Sequence, residues 1–308
     1  ATFGVKTKGL RLAKVEAVQR RREGLDAGVA LEAEGAVVIR EGVVELRRLD
    51  GFLGLDGIRG RETELGALRI EMRTEQTRLM LAVNGKVDGT PVGGEAEVDL
   101  SKGYPGKGTL RLAGMPLSTI AHWVKDDPPR LRGTLDARLD WRGDLAEPRK
   151  MRGVLVIPKV EMAPPLGEQQ DAGALGDFTL RNVGPLRVEV DSEGMQVLSA
   201  RLVAKETSIT VAGLYSFSGQ NPWDLSLSGR VNLAVLSSFN QDLQAAGLAQ
   251  ISANLRGAAD NPSVTGRMKI ENASFYLRGL TNGIENANGT IYFDRDRASI
   301  EALTAVTG

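Results

Sequence analysis

Gly66-Ala67-Leu68-Arg69-Ile70-Glu71-Met72 is matched 118 residues later by Gly184-Pro185-Leu186-Arg187-Val188-Glu189-Val190. Within each copy, aliphatic residues alternate with charged ones. That period of two is the pattern of a β-strand with one apolar and one polar face. Two further sets of landmarks recur in the same order. Met115, Leu117, Ile120 and Trp123 match Val231, Leu233, Leu236 and Phe239 at an offset of 116. Gly133, Gly143 and Pro148 match Gly247, Gly257 and Pro262 at an offset of 114, and Gly153 matches Gly266 at 113. One long unit has been used at least twice. A repeat decides architecture before any local assignment does, because stacked units share a continuous core.

The expected organisation follows from these offsets. Residues 1–65 are N-terminal strands of the same continuous sheet, 66–183 the first repeat unit and 184–287 the second. Residues 288–308 open a truncated third unit at Asn288-Gly289-Thr290-Ile291-Tyr292-Phe293. The chain lacks an initial Met and stops just after a strand-like segment, so both ends read as cuts inside a longer protein.

The alternation continues through Ile251, Ala253 and Leu255, through Met268 and Ile270, and through Ile291 and Phe293. Asn84-Gly85, Asp88-Gly89, Asn282-Gly283 and Asn288-Gly289 are hairpin-type dipeptides. Asp191-Ser192-Glu193-Gly194 and Ser218-Gly219-Gln220-Asn221-Pro222 read as longer loops. Two short helices interrupt the strands, at 117–124 and 233–239. Their apolar residues fall at spacings of three and six, a narrow stripe suited to docking by one edge. Residues 13–24 fit a charged strand pair better than a short helix. The fold class expected is all-β: a long antiparallel meander of about 18 to 20 strands, curled into an open groove, with short helices interrupting each repeat.

Composition agrees. Glycine is 37 of 308 residues and aromatics are only 5%, so many turns connect strands whose apolar side chains are mostly aliphatic. Lys+Arg and Asp+Glu are equal at 39 each, which leaves no basic footprint for nucleic acid. There is no cysteine, hence no disulfide framework, thiol nucleophile or Cys-based zinc site. No apolar run approaches the roughly 18 residues that span a bilayer.

Catalytic chemistry finds no foothold. His122 is the only histidine. It follows Ser118 by four residues and precedes Asp126, but its counterpart in the second unit is Ser238, so no general base is preserved by the repeat. Gly103-Tyr104-Pro105-Gly106-Lys107-Gly108 has Ser101 and Gly108 where a phosphate loop needs Gly and Ser or Thr, and reads as a turn. In Asp294-Arg295-Asp296-Arg297 each carboxylate has an arginine neighbour, as at a solvated hairpin tip rather than a metal site. No nucleophile, base and oxyanion donor come together, so no enzyme, cofactor or metal is expected.

A meander with one aliphatic face must bury that face, and indefinite repetition argues against a closed barrel. A dry sandwich or an open curled sheet remains. Sandwich cores normally contain more large aromatics, while small aliphatic residues leave width inside a curled sheet and glycines permit its bends. The residues expected to line such a groove are Leu68, Ile70, Met72, Leu186, Val188, Val190, Ile251, Leu255, Met268, Ile270, Ile291 and Phe293.

Asn261-Pro262-Ser263-Val264-Thr265-Gly266-Arg267-Met268-Lys269-Ile270-Glu271-Asn272-Ala273-Ser274-Phe275 resembles the TamB family, the translocation and assembly module subunits of the AsmA-like superfamily of bridge-like lipid transfer proteins. Asn286-Ala287-Asn288-Gly289-Thr290-Ile291-Tyr292-Phe293-Asp294 does so too. The family's recurring pattern is a proline, alternating hydrophobics about a glycine, an Asn-Ala followed by an aromatic, then Asn-Gly-x-Ile-x-Phe-Asp. The resemblance covers about residues 60–308, and its motifs are structural. It implies a β-taco, a sheet curled into a U with a hydrophobic inner wall, in the periplasm of a Gram-negative bacterium as part of an inner-membrane-anchored protein. It implies phospholipid as cargo between inner and outer membranes, and an Omp85-family outer-membrane barrel (TamA-like) as a partner through regions outside this chain.

A lipid groove is also reasonable on physical grounds. Each buried CH₂ is worth about 0.8 kcal/mol, so a 16-carbon acyl chain gains on the order of 12 kcal/mol by leaving water. The alternative function expected is a folding surface for outer-membrane β-barrel proteins, whose sheet edge pairs with client strands. A passive spacer or adhesin with a dry core is the third.

Overall fold

The computed structural model describes all residues except 21–23, 41–42, 61–62, 125–131, 164–177, 239–241, 259–260, 280, 296 and 308. The chain forms two compact units, Ala1–Met115 with Asp136–Leu155, and Pro116–Leu135 with Val156–Gly308.

Unit 1 carries β1 (Thr2–Arg11), β2 (Leu25–Arg40), β3 (Val43–Gly60), β4 (Thr63–Glu75), β5 (Arg78–Val87), β6 (Thr90–Asp99) and β7 (Pro105–Pro116), whose last residue opens unit 2. Each pairs antiparallel with the next. β8 (Arg132–Asp144) and β9 (Arg152–Ala163) contribute residues to both units. Unit 2 continues with β10 (Leu180–Asn182), β11 (Leu186–Val190), β12 (Gly194–Ala204), β13 (Thr207–Ser216), β14 (Trp223–Asn232), β15 (Leu243–Gly257), β16 (Pro262–Leu277), β17 (Ile284–Arg295) and β18 (Arg297–Thr307). Short β10 pairs with β9 and β12, and β11 also pairs with β12. From β12 to β18 each strand again pairs antiparallel with the next. The protein is an all-β antiparallel meander with a few short helices.

Alternation sets the register. A slip of one residue would turn every aliphatic side chain to the wrong face, and strands hold register over long runs such as Gly66–Glu75 against Arg78–Val87. Irregularities are local bulges, several of them at residues in the left-handed region. Asn272 and Asn286 have φ of 48° and 50°, which asparagine tolerates better than most residues.

Three expectations need correction. Of residues 13–24, the described part is not a strand pair: Leu12–Lys14 form a 3-10 turn and Glu16–Gln19 a short helix, α1, and 21–23 lie outside the described residues. The Gln19 side chain holds this segment together, donating to the Leu12 and Leu25 carbonyls and accepting from the Gly24 N–H. Second, Asn84-Gly85 and Asn288-Gly289 are not turns but lie inside β5 and β17. A Cβ on Gly85 would stand 2.3 Å from the Ala67 carbonyl oxygen, so glycine here permits close approach of backbones. Asp88-Gly89 is a true two-residue turn, with φ of 48° and 74° and Val87 paired to Thr90, and Asn282-Gly283 lies in the β16–β17 connection. Third, Gly103 closes a turn at Ser101–Gly103, but Pro105 already begins β7.

The helix expected at 117–124 is α2 (Leu117–Val124). The one expected at 233–239 is a 3-10 helix over Leu233–Ser238, and Phe239 lies outside the described residues. With 12–19 included, a strand–helix–strand–strand order occurs three times: β1 to β3, β7 to β9 and β14 to β16. Leu12, Val15 and Val18 have the spacing of Leu117, Ile120 and Trp123. That spacing was the available signal for the first copy. It was hidden by a different offset, 105, and by an intervening charged run.

Candidate functional site

Antiparallel partners point to the same side of a sheet, so the register draws each unit's apolar face row by row. In unit 1, Thr7, Leu31, Leu53, Ile70, Val83, Gly94 and Leu110 succeed one another from β1 to β7. The adjacent rows run Val5, Ala33, Gly51, Met72, Leu81, Ala96, Gly108 and Leu10, Val29, Leu55, Leu68, Gly85, Val92, Leu112. Leu68, Ile70 and Met72 therefore sit on three neighbouring rows of one apolar face, all half-buried.

Unit 2 is built the same way. Ile209, Gly229, Ile251, Met268, Ile291 and Ile300 form one row across β13 to β18. Val211, Leu227, Ala253, Gly266 and Phe293 form the next. Val188, Val197, Gly213, Leu225, Leu255 and Val264 form a third, beginning on β11. Val190 opens a fourth, through Met195, Tyr215 and Trp223. Ile270 pairs with Ala249 and Gly289, and Leu186 starts β11 half-buried. Ile251, Met268 and Ile291 are thus direct cross-strand neighbours, with Leu255, Phe293, Val188 and Val190 on adjacent rows.

The opposite faces are laced with ion pairs. Arg69–Glu71, Arg138–Asp140 and Lys269–Glu271 bridge residues two apart at 3.1, 2.9 and 3.0 Å, and Arg256–Asp224 bridges strands at 2.8 Å. The Thr74 backbone N–H and the Arg48 guanidinium hold the Asp50 carboxyl below its usual range. The Thr109 hydroxyl and Arg138 do the same for Asp140. A few apolar residues break the pattern, Phe52, Met80 and Leu214 among them. Phe52 pairs with Glu32 and Glu71 on the polar side, and the Arg69 guanidinium covers its ring 4.0 Å from the centroid.

Burial is concentrated at the ends of the strands. In unit 1, Leu79, Val98 and Leu100 are buried against Leu46, Leu49, Met72, Leu81 and Tyr104. In unit 2, Leu233 of the 3-10 helix is buried on a floor of Ala245, Ala249, Ile270, Ala273 and Ala287. The floor explains the two Asn-Ala motifs. Asn272 and Asn286 take left-handed bulge positions, and the alanines that follow are paired with each other and almost completely buried. Only a small side chain leaves room there for the leucine.

Along the rows most large aliphatic residues are half-exposed, while Val29, Val92 and Ile270 are buried. Among the described residues fifteen hydrophobic side chains are buried, six of them alanine or smaller in reach than valine, while twenty-one large ones are exposed. The arrangement offers an extended apolar surface in each unit. His122 and Trp123 lie in α2 with side chains outside the described residues, and Asp126 lies outside them too. No group of His, Cys, Asp and Glu able to hold a metal occurs among the described residues. No helix there is long and apolar enough to cross a membrane. No protein-family model, curated protein or solved structure matches the chain.

Proposed function

We propose that the apolar sheet faces hold the acyl chains of phospholipid, and that the chain is a segment of a periplasmic, inner-membrane-anchored protein carrying lipid between inner and outer membrane without chemical change. The observation that carries the reading is the run of apolar rows, mostly half-exposed aliphatic residues interspersed with glycines, over seven strands in unit 1 and at least five in unit 2. A core would bury such rows, and a solvent face would not contain them. Each row offers neighbouring aliphatic side chains at the spacing of strands, about 4.8 Å, so an acyl chain can shift along it without returning to water. The TamB-like motifs at 261–275 and 286–294 agree with this reading, since their asparagines and alanines serve the geometry of the apolar side.

The test is a photoreactive residue placed at Leu225, on the apolar face, or at Ser226, on the opposite face. Phospholipid is expected to crosslink at 225 and not at 226. Val188→Glu, on the same row as Leu225, is expected to lower the yield at 225 several-fold while leaving the protein folded, because an open face lets the carboxylate hydrate. Glu189→Val, facing away, is expected to leave it unchanged. Equal crosslinking at 225 and 226 would sink the proposal.

A second reading has one observation in its favour. Every residue of β18 is exposed, Ile300, Leu303 and Val306 among them. Such an edge is a template for strand addition, and a folding surface for outer-membrane β-barrel proteins, working with an Omp85-family barrel, would use it. Protection of β18 amides by an added client strand, without lipid at position 225, would favour this reading over the first.

A further inference from the structure

The two ends of the unit 2 strands differ in chemistry. At one end the row Val190, Met195, Tyr215, Trp223 and Gly257 is the last before the β13–β14 loop. Tyr215 and Trp223 meet edge to face with ring centroids 4.5 Å apart, and Tyr215 and Phe217 at 6.1 Å. Phe217 is 53% exposed. Leu214 to Trp223 contain no charged residue, in a chain one-quarter charged. Trp223 Nε1 is buried with no acceptor in reach, an unmade hydrogen bond of a kind proteins seldom leave. Its partner on β15 is Gly257, so the neighbouring strand sets no side chain beside the indole.

The other end is closed and satisfied. Leu233 fills the space over the alanine floor. The Asn232 N–H donates to Thr207 Oγ1 at 3.0 Å, its side-chain amide donates to Glu206 at 2.8 Å, and its Oδ1 accepts from the Ala234 N–H at 2.9 Å. The Asn232 side chain and N–H are thereby satisfied.

Resting on the reading that lipid occupies these faces, we propose its orientation in unit 2. The polar end of the lipid sits at Tyr215 and Trp223, with Trp223 Nε1–H donating to an ester or phosphate oxygen, and the methyl end points toward the 3-10 helix at Leu233–Ser238. An amphiphile with one apolar chain and oxygen acceptors at its head is complementary to a surface that is aliphatic along its length and carries a free donor at one end only. Tryptophan and tyrosine suit that junction because each joins an apolar ring to a polar atom.

The experiment uses the full chain with Trp123→Phe and Trp141→Phe, leaving Trp223 as the one tryptophan. The protein is incubated with phosphatidylcholine vesicles whose acyl chains carry bromine near the carboxyl end or near the methyl end, and retained lipid is counted by native mass spectrometry. With lipid retained, carboxyl-end bromine is expected to quench Trp223 strongly and methyl-end bromine weakly. Equal quenching, or the reverse, overturns the orientation. Absence of retained lipid sinks the lipid reading itself and is distinguishable from either. Trp223→Phe keeps the ring and removes the donor, and is expected to reduce retained lipid several-fold; unchanged retention overturns the donor role. In the unmutated chain, phosphatidylcholine with a photoreactive headgroup is expected to label 214–223, and tail-reactive lipid 245–251 and 268–273. The opposite map overturns the proposal without depending on any variant.

Discussion

The loop end of unit 1 is shut, and the corresponding end of unit 2 is open. In unit 1, Leu46 and Leu49 lie over Leu79, Val98 and Leu100, and the Tyr104 hydroxyl accepts the Leu46 N–H at 3.1 Å. In unit 2, Tyr215, Phe217 and Trp223 occupy that position, Phe217 exposed and the indole donor unused. The cause is strand length. β3 has 18 residues and β4 has 13, so the end of β3 overruns its neighbour. The Thr74 side chain completes the hydrogen bonding of Leu49, accepting from its N–H and donating to its carbonyl. β12, β13 and β14 have 11, 10 and 10 residues, and among the described residues no strand is left over to cover the end. Identical alternation therefore gives a small core where strands are unequal and an open apolar edge where they match.

The largest expected effect breaks the shut end. Leu79→Ala removes a buried side chain from the Val98–Leu100 cluster and is expected to destabilise unit 1 by about 2–5 kcal/mol. Leu227→Ala, in the half-exposed middle of a unit 2 row, already has solvent on one side and is expected to cost less than half as much. Denaturant midpoints of the two variants measure the difference. Equal losses would mean that the unit 2 rows are as tightly packed as a core, and the distinction between shut and open would fail.

At the helical end of unit 2 the prediction concerns overpacking. Ala273 is 0% exposed beneath Leu233. Ala273→Leu is expected to cost about 1–3 kcal/mol and to lift the 3-10 helix, so that amides of 234–236 exchange faster. Ala253→Leu, on a half-exposed row, is expected to be tolerated. If the amides of 234–236 keep their wild-type exchange in Ala273→Leu, the alanines are not the seat of the helix.

Tyr104→Phe tests the latch directly. It keeps the ring in the cluster and strands the half-buried Leu46 N–H, at a cost of about 0.5–1.5 kcal/mol. Amide exchange at Leu46 is expected to accelerate more than exchange at Leu79. Uniform acceleration over unit 1 would show that the hydroxyl supports the whole unit rather than the end of β3.

Much of this was legible in sequence because the period of two is a strong signal in long strands. Leu68–Ile70–Met72 and Met268–Ile270 announce both their strand and their face. Where strands end was poorly legible. Asn84-Gly85 and Asp88-Gly89 are equivalent as dipeptides, yet only the second turns, because the first is paired on both sides and its glycine serves backbone approach. The helical segment at 12–19 was obscured by the charges of Lys14, Glu16 and Arg20, which fit an exposed strand equally well. Phe52 was unreadable as an outward residue, since its cover, Arg69, is distant in sequence. The aromatic end of unit 2 gave a faint signal, the uncharged run from Leu214 to Trp223, but nothing in the sequence pairs Tyr215 with Trp223 until the β13–β14 register is known.

The smallest expected effect sharpens the comparison through pH. Three carboxyls of unit 1 are held below their usual range among the described residues: Asp26 by the Arg11 guanidinium, Asp50 by the Thr74 N–H and Arg48, and Asp140 by the Thr109 hydroxyl and Arg138. In unit 2 the one such group described is Glu161, beside Arg181 and Lys159. A carboxyl whose folded value lies below its unfolded value contributes stability that is fully present above the unfolded value, about 4, and is lost as pH falls through the folded value. Unit 1 is therefore expected to lose more stability than unit 2 between neutral pH and pH values below 4. These groups are near solvent, so each contribution is small and weakened by salt. Peptide-resolved hydrogen exchange, corrected for the intrinsic effect of pH, is expected to show protection falling first in β2 to β4. Asp50→Asn removes one of the titrating groups and is expected to flatten the acid limb for β3 and β4 while lowering their protection at neutral pH. An unchanged acid limb in that variant, or earlier loss of protection in β13 to β16, would show that these carboxyls do not set the difference between the units.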